Sequence, residues 1–160
     1  MAGLTLVIGL GNPILGDDGV GWRVADEVER RIGVRPAPAT VAVERLAVGG
    51  LALMERLVGC ERAIIIDSYL SDGAPGTVRS FSLAELAGRP VGYLDSAHDA
   101  SLASALAAGR AVGARLPDDV VVVTVDTVPQ DVFDDTLTAP VQAAVDAAAN
   151  EVMALLARLD

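Results

Sequence analysis

Residues 62–69, RAIIIDSY, constrain the fold more than any other stretch of the chain. Four consecutive apolar residues leave no polar face, so a strand built from them is buried on both sides. Strands of that kind belong to parallel sheets covered above and below by helices. An acid, Asp67, follows the run directly. It stands at the strand's carboxyl end, where ligands of open α/β sheets bind.

The rest of the chain supplies what such a strand needs. LTLVIG (4–9) is a short buried strand ending in glycine. Val20 to Ile32 carries apolar residues at 20, 24, 28 and 32, a helical stripe, with Asp17 or Asp18 available as N-cap and Gly33 to close it. ATVAVERL (39–46) is a second strand, and GGLALMERLVG (49–59) a short helix between glycines. The turn cluster SDGAPG (71–76) leads into the alternating TVRSFSL (77–83), a connection short enough for an antiparallel hairpin. Helical spacing at Leu102, Leu106 and Val112 marks 99–113, DVVVVTV (119–125) is the last central strand, and 139–159 is a closing helix. This order predicts one domain over residues 1–160, a three-layer α/β/α sandwich. Its sheet is mostly parallel, twisted, of about five strands, with one antiparallel edge strand.

Composition narrows the function. With 160 residues, 52% of them apolar, the chain is long enough to bury a core. No apolar stretch reaches the ~18–20 residues of a membrane span; 139–159 is interrupted by Asp146, Asn150, Glu151 and Arg158. MAGLTLVIGLGN has no basic n-region of a signal peptide. The one cysteine, Cys60, leaves no internal disulfide and no cysteine-cluster metal site, and the expected address is cytoplasmic. All 12 basic residues are arginine against 22 acids, a net charge of −10. That charge repels nucleic acid and anionic membrane. Neither is an expected partner, and a monomer suffices.

The glycines of GLGNPILGDDGVG (9–21) pose a choice between a phosphate cradle and a frame for a carboxylate. A dinucleotide loop needs its third glycine where Ile14 stands, and Gly16 comes too late. Pro13 removes a backbone N–H, and Asp17 and Asp18 repel the anion that a helix start would otherwise hold. No lysine is present for a Walker loop. Nucleophilic catalysis lacks support too. Cys60 stands between Gly59 and Glu61 with no basic neighbour, and no serine sits in a G-x-S-x-G elbow.

Asp17 and Asp18 after the first strand, Asp67 at the end of the third, and His98 opening the helix before the last strand remain. Singly, each has a plain structural reading: a helix cap, a turn residue, a satisfied histidine. Jointly, the predicted fold gathers them at one rim. Two carboxylates and an imidazole suit a borderline divalent metal such as zinc, nickel or iron and leave coordination positions open. The set is sparse for a private metal site and better suited to a metal that a partner carries.

VIGLGNPILGDDGVGWRV (7–24), AIIIDSY with the following DGAPGT (63–77), and SAHDASLASAL (96–106) resemble the [NiFe]-hydrogenase maturation endopeptidases across essentially the whole chain. These proteases trim the C-terminal tail of the hydrogenase large subunit. GLGNP alone is shared with peptidyl-tRNA hydrolases, but the histidine that follows their opening motif is missing here, and the chain is acidic. The resemblance implies a phosphorylase/hydrolase-like fold and the large-subunit precursor as partner. It also implies Asp18, Asp67 and His98 as nickel ligands and metal-assisted catalytic residues, with Asp17 acidic but not a ligand. The nickel comes with the substrate, and zinc or cadmium could take its place. ERLAVGGL (44–51) replaces a D-G-G-T stretch of many relatives, and VDTVPQDVFDDTLTAPV (125–141) departs from their proline- and glycine-rich segment. A non-catalytic metal- or partner-binding module would use the same three residues.

Overall fold

The apolar runs become strands of one sheet: β1 (Thr5–Leu10), β2 (Val41–Leu46), β3 (Arg62–Leu70), β4 (Val78–Ser82) and β5 (Asp119–Thr127). A computed structural model of the chain describes residues 3–34, 40–71, 73–86, 101–129 and 132–158. The strand order is β2-β1-β3-β5-β4. β2, β1, β3 and β5 run parallel, and β4 pairs antiparallel with β5 at the edge. The expected mixed five-stranded sheet with helices on both faces is what forms.

Side-chain alternation divides the core between the two faces. Val7, Ile64, Ile66, Val123 and Val125 point to the face covered by α1 (Val20–Val34) and α4 (Ala139–Ala157). Leu6, Ile8, Leu10, Ile65 and Val122 point to the face covered by α2 (Gly50–Leu57) and α3 (Leu102–Ala111). The isoleucine run thus feeds both cores at once. Burying each such side chain contributes about 1.5–3 kcal/mol. Among the described residues no helix is long and apolar enough to cross a membrane.

Two element ends differ from expectation, each for a local reason. Gly33 lies inside the last turn of α1 rather than after it, with no positive φ; glycine permits a helix end but does not force one. β3 does not stop at Asp67. It continues to Leu70 because Ser68, Tyr69 and Leu70 pair with Val125, Asp126 and Thr127. On its other side, pairing with β1 ends at Gly9↔Ile66. Asp67 is therefore the first residue of β3 beyond the reach of β1.

Candidate functional site

After β1 the chain crosses to β2 on one side, and it later enters β3 on the other. The crevice at this reversal, beyond the carboxyl ends of β1 and β3, is where open α/β sheets place ligands. Asp18 and Asp67 both stand there.

The loop that delivers Asp18 is shaped by its small residues. Gly11 has φ +143°, a conformation that side chains rarely adopt, and its N–H donates to the Leu46 carbonyl at 3.1 Å. The Trp22 indole N–H donates to the same carbonyl at 3.0 Å, tying α1 to the end of β2. The Asn12 side-chain oxygen accepts from the Ile14 N–H at 3.2 Å, an Asx turn that carries the chain through Pro13. A single 3-10 turn, Gly16–Gly19, then leads into α1. Close packing of α1 on the sheet needs Gly21. A Cβ there would meet the carbonyl oxygens of both Leu10 and Ile66, the latter at 2.6 Å. The glycines of 9–21 serve backbone geometry and helix packing.

Asp17 and Asp18 both lie inside the 3-10 turn that runs directly into α1. The residue preceding the 3-10 turn is Leu15, with no side-chain cap. Asp18 reaches back instead: its Oδ2 accepts from the Asn12 N–H at 2.9 Å, and its Oδ1 from the Ser68 hydroxyl at 3.3 Å. Asp17, 1% exposed, turns the other way. Its two oxygens accept from the Thr138 N–H at 2.7 Å and the Thr138 hydroxyl at 2.8 Å. Asp17 thus holds the start of α4, a helix more than a hundred residues away in sequence.

Asp67 is fully buried, and its Oδ1 accepts from the Ser68 N–H at 2.9 Å. Ser68 consequently touches both carboxylates, Asp67 through its backbone and Asp18 through its side chain. Sequence reasoning passed over this serine, for which the only signal is its position after Asp67. Two carboxylates joined in this way at a strand-end crevice offer hard oxygen donors to a cation, and acceptors for a proton. Among the described residues no group of three His, Cys, Asp or Glu side chains gathers as a metal cage. The third expected ligand, His98, lies outside the described residues, so this site is built here from its two acids.

The segment before α4 completes the rim. Leu15 and Asp134 form an isolated parallel bridge, with Gly16 N–H donating to the Asp134 carbonyl at 2.7 Å and Asp134 N–H to that of Ile14 at 2.9 Å. The Asp134 side chain accepts from the Thr136 hydroxyl and N–H, which hold its carboxyl below the usual range. On the hairpin side, buried Asp126 accepts from the Ser71 hydroxyl and the Arg79 guanidinium, both at 2.7 Å. Cys60 is a buried free thiol raised by its burial, which makes it inert packing.

Comparison with known proteins agrees with this architecture. The profile of the family described as HycI, hydrogenase maturation protease, matches residues 22–155, a span that contains Asp67 and begins just after Asp18. The hydrogenase maturating endopeptidase HybD from Escherichia coli superimposes with a TM-score of 0.73 at 26% identity, over 97% of this chain and 93% of that one. The hydrogenase 2 maturation peptidase of a Thaumarchaeota archaeon gives 0.63 at 26% identity, over 96% and 97%. The [NiFe] hydrogenase maturation protease HybD of Thermococcus kodakarensis shares the fold, with a TM-score of 0.65 at 24% identity over 96% and 99%. Among curated protein sequences none matches.

Proposed function

The chain belongs to the hydrogenase maturation protease family, and from that premise we propose that it removes the C-terminal extension of the [NiFe]-hydrogenase large-subunit precursor after nickel insertion. In this reading the inserted nickel is part of the substrate and serves as the recognition element. Asp18, Asp67 and His98 complete its coordination, and the protein acts as a monomer.

The observation that carries the reading is the pairing of Asp18 and Asp67 through Ser68 at the strand-end crevice. A metal arriving there with the substrate polarises the scissile carbonyl as a Lewis acid. The chain's own residues orient and relay. Ser68 bonds to both carboxylates, the buried Asp67 presents a fixed donor, and Asp18, more open to solvent, accepts a proton from the attacking water in this reading. A site with so few ligands does not compete for the nickel it inspects, which suits a check performed after insertion.

Incubation with nickel-loaded and nickel-free large-subunit precursor tests this directly. Loss of a short C-terminal peptide from the loaded form alone is the expected result, and Asp18→Ala or His98→Ala abolishes it. Equal cleavage of both forms overturns metal recognition. Binding without cleavage of either identifies a non-catalytic module.

A further inference from the structure

Thr124 lies inside β5, fully buried, and its hydroxyl oxygen makes no hydrogen bond among the described residues. In the unfolded chain water satisfies that hydroxyl, so burying it unpaired is unfavourable. Its strand neighbours are nearly all valine, VVVVTV over 120–125. Valine has the shape of threonine without the polar atom and would fill the space with no such penalty. Packing alone does not account for a hydroxyl here.

The register of the sheet shows where it can act. Thr124 pairs with Asp67 on β3 and with Arg79 on β4. Ile65, Val122 and Phe81, two residues away on the three strands, pack on the α2/α3 face, so alternation directs Asp67, Thr124 and Arg79 to that same face. A guanidinium accepts no hydrogen bond, and that of Arg79 is held by Asp126 at 2.7 Å. The carboxylate of Asp67 is one strand spacing away, about 4.8 Å between backbones, against about 6.6 Å along β5 to Asp126. Asp67 is the acceptor across the strand pair; Asp126 has one oxygen held by Ser71 and Arg79, and its Oδ1, like the Thr124 hydroxyl, has no hydrogen bond among the described residues.

We propose that Thr124 is a positioning residue for Asp67, its hydroxyl turning to donate to the Asp67 carboxylate once the substrate's metal engages it. Ser68 N–H donates to the Asp67 Oδ1 in the free protein, and Thr124 adds a further donor to that carboxylate in the complex. The inference rests on the function proposed above, in which Asp67 is a ligand. Outer partners of a ligating side chain typically alter affinity or activity by about 10–100-fold when removed.

Thr124→Val and Thr124→Ser in the full chain test it with two measurements, the thermal unfolding midpoint of the metal-free protein and the kcat and KM for nickel-loaded precursor. The valine variant is expected to unfold about 2–4 °C higher, because an unpaired hydroxyl is gone. It should process precursor with kcat about 10–100-fold lower and KM unchanged, and the serine variant should restore kcat. Wild-type kcat in the valine variant shows the hydroxyl to be idle and overturns the proposal. So does a lowered midpoint, which means that the hydroxyl already has a structural bond, and so does a serine variant no better than valine. If the wild-type protein leaves loaded precursor uncut, the ligand role of Asp67 fails first and the inference falls with it; a failure of the inference alone leaves the wild type active.

Discussion

Replacing Asp17 by alanine removes two acceptors at once from an almost fully buried position and leaves the N–H and hydroxyl of half-buried Thr138 without them. Leaving such donors unpaired costs about 1–3 kcal/mol each in mutational series. Asp17→Ala is therefore expected to lose about 2–4 kcal/mol in urea unfolding, whereas Asp18→Ala, at a half-buried position that water can reach, should lose less stability and all of its processing. Equal destabilisation by the two changes would contradict this division of labour. At this scale the sequence was informative about type and silent about direction. Asp18 and Asp67 were legible because each follows an apolar strand. That Asp17 turns toward Thr138 depends on a contact across most of the chain, which no local pattern encodes. Ser68 and Thr124 looked like ordinary strand residues because their polar atoms matter only through cross-strand neighbours.

Among elements, the contact of α1 with the sheet sets the site most tightly. Gly21 faces the carbonyls of Leu10, the last residue of β1, and of Ile66, where β3 stops pairing with β1. Overpacking costs typically about 1–3 kcal/mol where side chains yield, but here the obstacles are backbone atoms, so α1 itself must move. Gly21→Ala is expected to destabilise by at least about 3 kcal/mol in chemical denaturation and to lower processing by displacing Asp18; an unchanged midpoint would mean that the helix tolerates the shift. Strand and helix identities were readable from period and β-branching, as the run of β3 illustrates. Their ends were not. Ser68 to Leu70 join the sheet because β5 offers them partners, and hydrogen-bonding neighbours are not a property of the segment itself.

Across the whole molecule, the outer helices of one face are laced together by charge. Glu27 of α1 accepts from Arg30 and Arg31, and Arg31 extends to Asn150 and Asp146 of α4. The hydrogen bonds from Arg30 first, then Arg31, bring the Glu27 carboxyl from 4.5 down to about 2. A depressed carboxyl stabilises the fold fully above its unfolded value and loses that contribution as pH falls from about 4.5 toward 2. Solvent screening keeps the effect small. Glu27→Gln is expected to flatten the acid limb of stability over that window and leave neutral-pH stability nearly unchanged, as urea midpoints against pH would record. An acid limb as steep as that of the wild type would assign the loss to other carboxylates.

The fastening of the Asp18 loop by Asp134 and Thr138 also has a meaning in time. Ribosomes build chains from the amino end at roughly 5–20 residues per second, so Thr138 emerges roughly 6–25 s after Asp17. During that interval the loop lacks the bonds that Asp134 and Thr138 supply. A chain of this build completes the turn that carries Asp17 and Asp18 only when the start of α4 arrives, so the crevice is among the last parts of the molecule to be finished.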